Sequence, residues 1–181
     1  MKKIVSLILA CILVLGLCAC DFEPSLVGTV PANNSENNIS SNMGTPSAGT
    51  KTFKLGDVVE LNDVSVGFLD VITDTGSDFN KPADGNVFVL CEFEITNNSD
   101  KEVSVSTMLS FDAYCDGYSC SLSLQALIEK GNKEQLDGTV AAGKKMKGVV
   151  GYEVPADWEE LEIHYTPDIM NGKEIVFIAS N

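Results

Sequence analysis

The run Asn86 to Asn98, NVFVLCEFEITNN, constrains this chain most, because Val87, Val89, Cys91, Phe93 and Ile95 occupy alternate positions in it. A period of two places them on one face of an extended strand, where successive side chains point to opposite sides of the pleat. The other face carries Phe88, Leu90, Glu92, Glu94 and Thr96 and grades from apolar to charged. That pattern describes a long strand, central at one end and solvated at the other. Further strand-like runs are VVELNDVSVGFLDVI (two segments), EVSVS, LSFDAYC, YSCSLSL, KMKGVVGYEV, LEIHYT and EIVFIA. Turn-forming residues separate them: Asp84-Gly85, Asn97-Asn98, Asp116-Gly117, Asp137-Gly138, Pro155 and Asn171-Gly172. Only LQALIEKGNKEQ reads as helix, and Gly131 keeps it short. Many short strands after Lys51, with turns between them, predict an all-β antiparallel sandwich over residues 51–181.

The amino terminus reads differently. MKKIVSLILACILVLGLCAC has two lysines, an apolar run from Ile4 to Leu15 and a small-residue end, the layout of a secretory signal over residues 1–19. Its last four residues, Leu17-Cys18-Ala19-Cys20, resemble the bacterial lipobox, in which the thiol of Cys20 receives a diacylglyceryl group and cleavage leaves that cysteine first. Ile4 to Cys20 is marginally too short for a membrane span. The expected location is the cell membrane, facing out of the cytoplasm, with the bilayer as partner through the lipid on Cys20. Asp21 would favour inner-membrane retention in a two-membrane envelope and carries no such meaning in a single-membrane one. Residues 21–50 hold 19 Asn, Ser, Thr, Gly or Pro among 30 and are expected to be a flexible linker, since they bury too little apolar surface to offset ordering entropy. As a random coil such a linker would reach about 30 Å.

Charge narrows the partners. The chain has 12 lysines, no arginine and 26 acidic residues, a net charge of −14 that becomes −16 when Lys2 and Lys3 leave with the signal. Nucleic acid needs a cationic face to neutralise phosphates, so it is not an expected partner. An unidentified protein or envelope ligand is.

Few residues invite chemistry. Asp74-Thr-Gly-Ser77 spells the motif of aspartic proteases, which need two aspartates sharing a proton. The chain has one such motif, set in a hydrophilic stretch, so a hydrolase using Asp74 is only a remote alternative and the protein is expected not to be an enzyme. Asp74, Asp78 and Asp84 lie close in sequence and are hard-oxygen candidates for a cation such as calcium. Cys115 and Cys120 flank the Asp116-Gly117 turn and are candidates for a local disulfide, which export permits. Their geometry depends on the loop: a two-residue turn makes them diagonal neighbours, near the limit of disulfide span, and a four-residue loop places them opposite each other. Cys91 reads as a buried core thiol. His164 is expected on the surface and Trp158 packed over the sandwich edge. No glycine-rich phosphate loop or zinc ligand set is present, and no cofactor is expected.

GNVFVLCEFEITNNSDKEVSVS, followed by TVAAGKKMKGVVGYEVPADWEELEIHYTP, resembles the domain-of-unknown-function 4352 family (DUF4352), Ig-like modules common on lipoproteins of Gram-positive bacteria. The resemblance runs over nearly all of Lys51 to Asn181. Its most specific parts are the Asn-Asn-Ser-Asp turn and the Gly-Lys-Lys…Gly-Val-Val…Val-Pro run, neither of them catalytic. It implies an Ig-like sandwich on the cell surface and carries no functional residues with it. The resulting expectation is a lipid-anchored binding or accessory module, with a structural or envelope-protective lipoprotein as the alternative.

Overall fold

The computed structural model describes residues 23–31, 51–168, 170 and 172–181. The signal region and Cys20 lie outside the described residues. Two five-stranded sheets face each other across a common core. The first has the order β1-β3-β4-β5-β10, from β1 (Ser25–Thr29), β3 (Asp57–Leu61), β4 (Val64–Asp74), β5 (Asn86–Asn97) and β10 (Lys145–Pro155). The second runs β2-β12-β11-β7-β8, from β2 (Thr52–Lys54), β12 (Lys173–Ser180), β11 (Glu160–Asp168), β7 (Phe111–Cys115) and β8 (Tyr118–Cys120). A separate ribbon joins β6 (Val103–Val105) to β9 (Gly138–Val140). All pairings are antiparallel except β2 with β12, which is parallel. The all-β sandwich expected from the period, Ig-like as the family resemblance implies, is the observed fold.

The inward face of β5 is the one the alternation selects: Val87, Val89, Cys91, Phe93 and Ile95 are all buried. Phe93 stacks on Phe68 of β4 at 4.7 Å, and Phe177 of β12 lies 5.4 Å and 5.6 Å from these two rings, tying the sheets together. Such ring pairs contribute about 0.5–1.5 kcal/mol each beyond the burial of their area. Trp158 is buried in the same core rather than laid over the edge.

The mixed outer face of β5 is also covered, and by the one helical segment among the described residues. Helix α1 (Leu124–Ile128) is shorter than the sequence predicts; Ser123 caps it by accepting a hydrogen bond from Ala126 N at 3.1 Å. Ala126 and Leu127 pack on Phe88, Leu90 and Val149 as a second small core. Beyond it Glu92 is buried, with Lys133 Nζ at 2.7 Å and Lys147 Nζ at 3.4 Å. Gly148 and Gly151 of β10 make this cover possible, since the backbone of residues 134–136 crosses Gly148 and α1 rests on Gly151.

The linker boundary needs correction. Ser25–Thr29, expected to be flexible, forms β1 and pairs with β3, as in Ser25↔Glu60 and Thr29↔Asp57. Its residues are mostly exposed, so composition alone reads them as linker, but backbone pairing with the open edge of β3 satisfies their polar groups. The ordered domain therefore includes residues upstream of Lys51.

The two ends of the sandwich differ. The upper end holds Asp74 paired with Phe88, Asn86 paired with Pro155, and the tip of the β7–β8 hairpin, whose Asp116 N donates to Glu160 O. The lower end holds Val64 paired with Asn97, which is joined to Lys144, and the start of β1 beside Glu60. The 12 residues of β5 separate these ends by about 40 Å at the rise of an extended strand.

Candidate functional site

The β7–β8 hairpin turns through Asp116 and Gly117, with φ of 49° and 80°. Two successive positive φ values match the twist of the flanking strands, which is why Asp-Gly suits this turn. Cys115 then faces Tyr118, and Cys120 faces Ala113. This is the two-residue geometry, so the two cysteines are diagonal. Cys91, Cys115 and Cys120 are all free thiols, and the bridge expected between Cys115 and Cys120 is not made. Burial, followed by the charge of Asp116, pushes the Cys115 thiol up to about 11. Burial, followed by the charge of Cys115, pushes Cys120 up to about 11 as well. Burial raises Cys91 further still. Protonated thiols of this kind are poor nucleophiles near neutral pH.

Beside the hairpin lies a cleft of about 1240 Å³, between β8 and the corner that joins β10 to β11. Five carboxylates line it, from Asp116, Glu153, Asp157, Glu159 and Glu160, and no lysine does. Asp116 and Glu153 also serve the fold. Asp116 Oδ1 accepts from the backbone N–H groups of Glu159 and Glu160, and Glu153 Oε1 accepts from Ala83 N and Asn86 Nδ2. Tyr118 and Leu124 add apolar surface at the rim and are largely exposed.

The Asp-Thr-Gly-Ser motif sits at the same upper end and has a structural use. Asp74 Oδ1 accepts from Gly76 N at 2.6 Å. Gly76 has φ +80°, and a Cβ there would stand 2.2 Å from Asn80 O. Asn80 Nδ2 in turn donates to Gln125 O and to Glu129 Oε1, and Ser77 Oγ to the same carboxylate, so the loop folds down onto α1. That folding leaves Asp78 and Asp84 exposed and holds Asp74 in its own turn. Among the described residues no three His, Cys, Asp or Glu side chains come together as a metal-binding group, so the candidate carboxylates Asp74, Asp78 and Asp84 are not gathered into a cation site.

His164 is half-buried on the outer face of the second sheet, rather than free on the surface. Its Nδ1 meets Glu174 at 2.9 Å, its Nε2 meets Glu162, and the ring of Tyr114 lies edge-on at 5.4 Å. Burial acts to lower its pKa, but the hydrogen bonds and charges of Glu174 and Glu162 outweigh that and raise it above the usual histidine value. Leu161 pairs with Cys115 and His164 with Asp112, so the imidazole and the thiols occupy opposite faces of the sheet and form no dyad.

Sequence reasoning did not anticipate the cleft. Three of its acids stand close together in the run Asp157-Trp158-Glu159-Glu160, a usable signal. Asp116 and Glu153 join them only through pairing across the sheet edges.

Two sheets packed face to face, with a polar cleft at one end, make the chain a β-sandwich module. The model of DUF4352, a domain of unknown function, matches residues 53–175, more than half of the chain. The chain belongs to that family. No curated protein matches it. Among solved structures, ycdA of Bacillus subtilis, provisionally described as a lipoprotein, aligns at 20% identity and TM-score 0.55, covering 66% of this chain and 37% of its own. This chain therefore spans little more than a third of ycdA. The yjhA protein of Bacillus subtilis aligns at 16% identity and TM-score 0.51, covering 68% of this chain and 96% of its own. At these identities the likeness is one of fold. Among the described residues no helix is long and apolar enough to cross a membrane.

Proposed function

We propose that this protein is a lipid-anchored module, held outside the cytoplasm through Cys20, that works by binding a partner at its upper end rather than by catalysis. The observation that carries this reading is the position of β1. Ser25 follows Cys20 by five residues, at most about 17 Å of extended chain, and it starts at the lower end of the sandwich. A lipid on Cys20 thus holds the lower end at the bilayer and leaves the cleft, on the order of 40 Å away along β5, facing outward. The raised thiol pKa values, the engaged carboxylate of Asp74 and the separation of His164 from the cysteines support binding over catalysis.

Two measurements on intact cells test it. Cys20→Ser is expected to remove lipid labelling and release the protein from the membrane fraction; continued labelling refutes the anchor. A single cysteine introduced at Asp78, at the upper end, is expected to react with a membrane-impermeant maleimide faster than one at Asp63, at the lower end. Equal rates refute the orientation.

A further inference from the structure

Resting on that binding-module reading, we propose that the cleft takes an extended, lysine-bearing polypeptide segment of another protein, which lengthens the second sheet by pairing with the outer edge of β8. Four strands end the two sheets: β1, β10, β2 and β8. Open edges invite a further strand unless lysine, proline or a bulge blunts them. β10 carries Lys145, Lys147 and Pro155, β2 carries Lys54, and β1 has a register shift between Leu26 and Gly28. β8 and the residue after it, Tyr118-Ser119-Cys120-Ser121, carry no lysine, proline or bulge, and only the strand's shortness, three residues before Leu122 bridges to Tyr152 of β10, limits what can pair there.

The register shows which groups are available. In a two-residue hairpin the pair that closes the turn, here Cys115 and Tyr118, exchanges both backbone hydrogen bonds, and the next pair does not. The N–H and C=O of Ser119 therefore point away from β7, toward the cleft. An incoming extended chain would meet them and continue the ladder, a recurring mode of peptide recognition.

The cleft suits the rest of such a segment. Its volume of about 1240 Å³ exceeds the roughly 300–1,000 Å³ of small-molecule sites. Successive side chains of an added strand point to opposite sides, so one set can meet Tyr118, 79% exposed, and Leu124, 66% exposed. The other set meets the acidic corner. Asp157, Glu159 and Glu160 make no ion pair with any described residue, and no lysine lines the cleft to oppose a cationic guest. An acidic segment is repelled by the same groups.

The test uses the mature full chain in detergent micelles, so it does not depend on anchoring in cells. The probe is a fluorescein-labelled octapeptide of alternating lysine and valine. Its comparison is the same peptide N-methylated at alternate amides, which keeps the charge and blocks ladder pairing. The plain peptide is expected to bind at least tenfold more tightly than the methylated one and to resist displacement by spermine. The combined substitution Asp157→Asn, Glu159→Gln and Glu160→Gln is expected to weaken it at least tenfold, and Ser119→Pro, which removes the outward N–H, by a similar factor. If Ser119→Pro does not fold, the methylated peptide on the unaltered protein carries the same test. No binding, equal binding of the two peptides, full displacement by spermine or indifference to the triple substitution overturns the proposal. So does a peptide-free dimer that Ser119→Pro breaks, which would assign the edge to a second copy of the chain. Failure here, with Cys20 and the outward labelling upheld, would leave the module reading intact and only its ligand class wrong.

Discussion

Adding one methyl group at Gly148 is expected to destabilise the domain by about 1.5–4.5 kcal/mol, as the sum of an overpacking cost of about 1–3 kcal/mol and a lost hydrogen bond of about 0.5–1.5 kcal/mol. An alanine Cβ there would stand 2.7 Å from Glu134 O, 3.0 Å from Gln135 C and 3.1 Å from Leu136 N. All three atoms are backbone, so no side chain can swing away. To make room the segment must lift off the sheet, and the bond from Val149 N to Glu134 O, now 2.8 Å, is the first to stretch. Lys133 sits at the start of this segment, so its contact with buried Glu92 loosens too. Such a loss is a large part of the roughly 5–15 kcal/mol that holds a domain together. Urea unfolding followed by fluorescence reports it cleanly, because Trp158 is the one tryptophan and is buried. Gly28→Ala is the control: its new methyl meets nothing nearer than Val58 Cβ at 4.0 Å, so a change within about 0.5 kcal/mol is expected. If Gly148→Ala behaves like Gly28→Ala, the close crossing of the 134–136 segment is not what the second core depends on, and the reasoning fails.

Three further outcomes are expected. Asn97 is fully buried; its Nδ2 donates to Lys101 O and Val140 O, and its Oδ1 accepts from Ser99 N and Ser99 Oγ. Asn97→Ala strands those partners and should cost about 2–4 kcal/mol at roughly 1 kcal/mol per bond, read by the same urea titration; a cost below about 1 kcal/mol argues against its role as the hub of that turn. The folded-state pKa of His164 is raised, so its contribution to stability is fully present below the unfolded value of about 6.5 and fades as pH rises through the folded one. Glu162, Glu174 and Asp112 face it, so the gap in melting temperature between wild type and His164→Gln should be widest near pH 5.5 and close in alkali; a gap that grows with pH contradicts this. Intact-mass analysis after alkylation in denaturant should find Cys91, Cys115 and Cys120 all reactive, and a mass short by a pair of hydrogens with two of them blocked would restore the disulfide.

Most of the sheet framework could be read from alternation. The inward face of β5, the strand runs of β3 to β8 and β10 to β12, and the Asp116-Gly117 turn all follow from local rules, because strand period and turn chemistry act over two to four residues. Three elements escaped. β1 carries no apolar stripe and depends on the edge of β3. β2 and β9 are three residues each, too short for a period to show. The Asp74 loop was legible as a loop, but its descent onto α1 through Asn80 and Glu129 was not, since those partners lie 49 residues apart.

By itself the sequence determined an all-β sandwich, a lipobox-like amino terminus, a strongly acidic chain, and the glycines and asparagine of its motifs. Each is a property of composition or of near neighbours along the chain. Only the tertiary structure decided what those motifs are for. Gly148 and Gly151 let a second layer approach the sheet, Asn97 gathers a turn, and the Asp-Thr-Gly-Ser stretch docks on a helix. It also decided that β1 belongs to the domain, that Cys115 and Cys120 stand diagonal, and that five carboxylates distant in sequence share one cleft. The cysteines stand diagonal because the hairpin closes on a two-residue turn; the others depend on contacts between segments far apart in the chain, and alternation along one strand fixes which face is buried but not which distant segment meets it.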